Sequence, residues 1–214
     1  MNAKLLLSLI FVFVISLSFG QKSTKSFYLP TNIGVQFIQG NENSFLFNDP
    51  DYFYRTNTLK LELYYPLTKW KKYNISLIIL PQTQIIKHQL YNEQFVRPNI
   101  EGYLEKRARF TKLKNISITA IEFTIDVKRQ LLKQTAVFIQ FGLGFAIVDT
   151  STERLAKGFT FIENINTGLE FLINKKVLMR LFGGIGHVSN LNFQKPNAGY
   201  NLFNTGISIQ YSLK

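Results

Sequence analysis

The 214-residue chain contains no cysteine, so neither disulfides nor thiolate metal sites can staple a small fold. Its stability has to come from a packed core or a closed sheet. Acidic residues are scarce too, 13 against 25 Lys and Arg. That imbalance suits an anionic partner or surface. Beyond the first 20 positions no apolar run reaches the ~20 residues of a membrane-spanning helix. What the chain has in quantity is aromatic, 20 Phe and 10 Tyr, which leaves a β-sandwich or a membrane barrel.

The first 20 residues read as a signal peptide. Lys4 gives a basic start, 5–17 is almost wholly apolar, and Ser18 and Gly20 are small residues at a cleavage site before Gln21. The expected organisation is residues 1–20 as signal peptide and 21–214 as one domain. Its removal leaves 24 basic against 13 acidic residues. In an exported protein a phosphorylated lipid surface is a more accessible anionic partner than nucleic acid, and no nucleic-acid role is expected.

Eight period-two segments follow: 31–40, 58–67, 73–87, 115–127, 134–147, 159–173, 177–189 and 201–213. In the fifth, Val137, Ile139, Phe141, Leu143, Phe145 and Ile147 alternate with Ala136, Gln140, Gly142, Gly144 and Ala146. The fourth sets Ile121, Phe123, Ile125 and Val127 against Glu122, Thr124 and Asp126. Carboxylates between large apolar neighbours are costly in a sandwich core. They suit a barrel with a polar lumen and a lipid-facing wall.

The connections agree, with 41–57, 88–114, 148–158 and 190–200 long and 68–72, 128–133 and 174–176 short. Outer-membrane barrels alternate long external loops with short periplasmic turns in this way. The fold class expected is therefore all-β, an eight-stranded antiparallel transmembrane β-barrel in the cell outer membrane. Such a lumen is filled by side chains, which argues against a diffusion pore. Glu62, Glu122, Asp126 and Glu170 are expected to join Lys60 and Arg180 in a structural lumenal charge network.

Two other regions carry polar residues worth weighing. In 88–114, read as irregular, Lys106, Arg107, Arg109, Lys112 and Lys114 can hold lipid phosphates or form a solvated face. His88 there lacks companion ligands, so no metal or other cofactor is expected.

On the seventh segment Val177, Met179, Leu181, Ile185, His187 and Ser189 share the lipid-facing side, opposite Arg180, Phe182, Gly184 and Gly186. His187 and Ser189 are about 7 Å apart along the backbone, near enough for an imidazole to take a serine proton. Spacing alone equally allows two polar residues at the membrane interface.

The sequence then continues with Asn190 and, in the next loop, Pro196, Asn197, Ala198 and Gly199. His187-Val188-Ser189-Asn190 followed by Pro196-Asn197-Ala198-Gly199 resembles the signature of the lipid A 3-O-deacylase family. The resemblance extends in general layout from about Gly142 to the C-terminus. It implies an outer-membrane serine esterase that removes an ester-linked acyl chain from lipid A or a related envelope lipid, with lipid A or lipopolysaccharide as partner. In that reading Ser189 is the nucleophile, His187 the general base and Asn190 an oxyanion donor, with Asn197 and Gly199 shaping the loop.

Two departures stand out. Ala198 replaces the usual proline, and Asn201 stands where the family has the glutamate that orients the histidine. The catalytic set is thus His187 and Ser189 with Asn201 or Glu163, because a three-residue turn at 174–176 pairs Glu163 with His187. The alternative function is a non-catalytic barrel for adhesion, envelope integrity or lipid binding. Oligomeric state is left open.

Overall fold

In the computed structural model, residues 29–42 and 46–213 are described; the expected signal peptide lies outside them. Eight antiparallel strands form one closed barrel: β1 (Asn32–Asn41), β2 (Tyr52–Trp70), β3 (Tyr73–Leu90), β4 (Lys114–Leu132), β5 (Thr135–Val148), β6 (Gly158–Leu172), β7 (Val177–Ser189) and β8 (Tyr200–Ser212). Each strand pairs with its sequence neighbours, and β1 pairs with β8 from Asn32↔Ser212 to Asn41↔Phe203. Closure removes the free edges that an open sheet would expose to lipid.

Alternation decides which side chain goes where. Phe37, Leu61, Phe123, Phe141, Ile165, Leu181 and Ile209 are exposed on the outer wall, the band a bilayer covers. Their polar neighbours are buried inside. Lys60 Nζ donates to Glu122 Oε2 at 2.6 Å, and Glu122 also accepts from Gln82, Thr124 and Asn164. Arg180 bridges Asp126 and Glu170, and Lys128 adds a second cation to Glu170 at 2.7 Å. Glu62 accepts from Gln36 and Ser208. The lumen is thus a filled polar core.

The strands run past their apolar stretches. β2 begins at Tyr52 rather than 58, and β4 ends at Leu132 rather than 127. Above the lipid band the outer positions Arg55 and Asn57 are polar, so the hydrophobic pattern stops while the backbone ladder continues.

The segment 88–114 is not irregular as expected. His88 sits within β3, fully buried, with Nε2 2.8 Å from Glu153. A 3₁₀ turn (Glu93–Phe95) and an α-helix, α1 (Tyr103–Phe110), follow. Val96 and Phe110 of this loop pack with Tyr52, Tyr54, Leu155, Tyr200 and Leu202 as an apolar plug over the long-loop end.

Of the five basic residues here, two turn inward. Arg107 donates to Val96 O and Gln94 and pairs with Glu93, and the Lys114 ammonium is buried, 4.5 Å over the Phe110 ring. They serve loop packing, and α1 belongs to the connection between β3 and β4, strands that stand opposite β7 and β8 in the ring.

Replacing Arg180 by methionine leaves buried Asp126 without a cation and takes one of two from Glu170. Arg180→Met is expected to destabilise the barrel by about 3–5 kcal/mol, read as a lowered denaturant midpoint for loss of the compact, heat-modifiable band on gels.

Candidate active site on the β6–β7–β8 wall

His187 lies on β7 at the long-loop end, between two register partners, Glu163 on β6 and Asn201 on β8. The short connection that enters β7 sets this register, with Ile173 N–H donating to Val177 O at 2.9 Å. Both candidate third members therefore flank the imidazole. Only one touches it: His187 Nδ1 and Asn201 Oδ1 are 2.7 Å apart, whereas Glu163 is exposed and makes no hydrogen bond to the ring among the described residues. An amide oxygen accepts, so in the neutral imidazole Nδ1 carries the proton and Nε2 the lone pair. The neighbour thereby selects the tautomer of a base.

Ser189 has the expected parity, but it is not laid open to lipid. It is buried at 6% exposure beneath the 190–199 loop. Gly199 explains the cover. It adopts a positive φ of 69°, and a Cβ there would meet Val188 O at 2.4 Å, His187 Cε1 at 3.2 Å and Ser189 Cβ at 3.4 Å. The loop backbone thus presses directly on the pair, which only glycine permits. No hydrogen bond joins Ser189 Oγ to His187 among the described residues.

Asn190 and Asn197 meet as loop scaffold. The Asn190 backbone N–H donates to Asn197 Oδ1 at 2.7 Å, and the Asn190 side-chain amide donates to Gln194 O at 2.9 Å and lies 3.5 Å from Pro196 O. One amide hydrogen is firmly committed and the other loosely.

The sequence reading missed Arg154, in the 149–157 loop. Its carbonyl accepts from Ala198 N–H at 2.7 Å and Gly199 N–H at 3.1 Å, while its Nε donates to Gly199 O at 2.7 Å. Its guanidinium pairs with Asp49 and lies 4.4 Å over the Tyr52 ring. Burial opposes its charge, but the hydrogen bond and attraction from Asp49 prevail and hold its pKa above the ordinary arginine value. Arg154 therefore ties three external loops together at the residue that covers Ser189. Nothing local in Ser-Thr-Glu-Arg signals this, since the contacts come from two distant loops and the start of β2.

Aromatic rings extend the site along the lipid-facing wall. Phe161 is the register partner of Ser189, with Phe159, Phe145 and Phe193 at centroid distances of 4.9, 5.8 and 6.2 Å from it. A buried hydroxyl and a base thus stand beside an exposed apolar strip, an arrangement suited to a substrate with acyl chains.

A family model described as lipid A 3-O-deacylase (PagL) matches residues 44–210. The chain belongs to the lipid A 3-O-deacylase family. It is accordingly an ester hydrolase of the outer membrane. Among solved structures it is similar to the outer membrane enzyme PagL, with a TM-score of 0.56 at 12% identity, covering 82% of this chain and 97% of that one. It also matches Neisserial surface protein A, with a TM-score of 0.46 at 10% identity, covering 85% and 96%. No curated protein matches by sequence. At such identities the likeness to PagL speaks for the eight-stranded fold alone.

Backbone strain of about 1–3 kcal/mol together with the Val188 clash makes Gly199→Ala a sensitive probe. Hydrolysis of a micellar acyl ester by the folded variant is expected to fall by at least about tenfold. Arg154→Ala should fall in the same direction.

Proposed function

We propose that this deacylase works as a serine esterase, removing an ester-linked acyl chain from lipid A or a related envelope lipid held against the outer wall. The observation that carries the reading is the His187–Asn201 contact of 2.7 Å, which leaves Nε2 as the free base two residues from Ser189 on the same side of β7.

In this reading Ser189 Oγ attacks the acyl carbonyl as His187 Nε2 takes its proton. The tetrahedral oxygen is stabilised on the Asn190 side, where the second amide hydrogen is only loosely engaged with Pro196 O. Collapse expels the sugar alkoxide, which recovers the proton from the imidazolium. Water then repeats the sequence on the acyl-enzyme and releases a fatty acid. Acyl chains lie along the Phe145, Phe159, Phe161 and Phe193 strip. Asn201 orients the imidazole but, as a neutral amide, stabilises its cation less than a carboxylate does.

The test is mass spectrometry of lipid A from cells making the wild type or a variant. Ser189→Ala and His187→Ala should each lose at least about 10² in deacylation. Asn201→Ala should be slowed and Asn201→Asp should retain activity, whereas Glu163→Gln should match the wild type. An acylation pattern unchanged by Ser189→Ala overturns the serine mechanism, and a crippled Glu163→Gln reassigns the third member.

A further inference from the structure

The two ends of the barrel carry charge differently. At the long-loop end cations and anions are mixed and paired, as in Arg154–Asp49 and Arg107–Glu93. At the short-turn end the exposed charges have one sign. No Asp or Glu occurs in 65–76, 127–138 or 171–183, the stretches that form the three turns.

Each turn carries exposed cations. Lys69, Lys71 and Lys72 stand on the β2–β3 turn, Arg129 and Lys133 at the β4–β5 turn, and Lys175 and Lys176 on the β6–β7 turn. None of the seven joins an ion pair with an acidic residue among the described residues; the two other cations of these stretches, Lys128 and Arg180, turn into the lumen, Lys128 to Glu170 and Arg180 to Glu170 and Asp126.

Apolar side chains stand at the same level. Trp70, Leu131, Leu132, Ile173 and Tyr211 are exposed there, Trp70 stacks on Tyr73 at 6.2 Å, and Lys71 and Lys176 lie over Trp70 and Tyr211 at 5.1 and 5.5 Å. Amphipathic rings of this kind mark the boundary between hydrocarbon and water. The cations therefore stand at headgroup depth rather than out in the aqueous phase. A free soluble polyanion has no use for the apolar half of that surface.

We propose that this rim is a docking surface for anionic phospholipid headgroups of the inner leaflet. The phosphates lie among the lysines while Trp70 and the leucines enter the acyl region. The rim is remote from Ser189, so this inference stands or falls separately from the serine mechanism.

The only tryptophan of the chain, Trp70, reports from the rim itself. The full-length protein, reconstituted in phosphatidylcholine vesicles, is titrated with acyl-brominated phosphatidylglycerol or brominated phosphatidylethanolamine, and Trp70 quenching is read. The association constant for phosphatidylglycerol should exceed that for phosphatidylethanolamine at least about fivefold, the factor one lysine near an anionic surface supplies. That preference should fall to parity when Lys71→Gln, Lys72→Gln, Arg129→Gln, Lys133→Gln, Lys175→Gln and Lys176→Gln are combined, with ester hydrolysis retained.

Should the combined variant not fold, the wild type alone decides, because the preference should fade as added salt screens the headgroups. Equal quenching by both lipids, or a preference indifferent to both salt and substitution, overturns the proposal.

Discussion

In hydrocarbon no water is available to satisfy a backbone N–H, so the structure depends on the ladder that joins β1 to β8. Once the ring closes, the alternation of side chains sorts itself. Lipid selects one face, and the other must fill a narrow lumen with groups that can bond one another. Lys60 with Glu122, and Arg180 with Asp126 and Glu170, meet that demand. Their desolvation is offset because each carboxylate collects several donors rather than one.

That sorting explains why the architecture was legible. Gln140 between Ile139 and Phe141, or Asp126 between Ile125 and Val127, makes sense only where a strand separates lipid from a polar interior. β7 was located to the residue because the short turn before it and the polar loop from Asn190 bound its alternating run. β2 was read as starting six residues late, since Arg55 and Asn57 lie above the lipid band, where the outer face is no longer apolar. Helix α1 escaped because eight residues with Tyr103, Leu104 and Phe110 as their large apolar members give too few turns for a period to emerge.

The candidate site was legible in part. Turn counting placed Glu163 opposite His187, and the ladder has that register. Register sets which backbones are opposed, not which side chains bend together, and Asn201 is the one that reaches the imidazole. The cover over Ser189 was hidden for another reason. It depends on Arg154 meeting Asp49, Tyr52 and Gly199 from separate parts of the chain, a convergence with no local pattern. Loops that are plugged by Tyr52, Tyr200 and Leu155 and mated through backbone hydrogen bonds behave as part of the rigid body.

The placement of His187 and Ser189 on the outer wall has a kinetic consequence. Under the proposed serine mechanism, reactant and product meet these residues sideways, within the plane of a leaflet, without entering the lumen or crossing bulk water. The relevant concentration is then a mole fraction in two dimensions. Diluting the membrane with inert lipid slows encounter, whereas diluting the suspension with buffer leaves it unchanged.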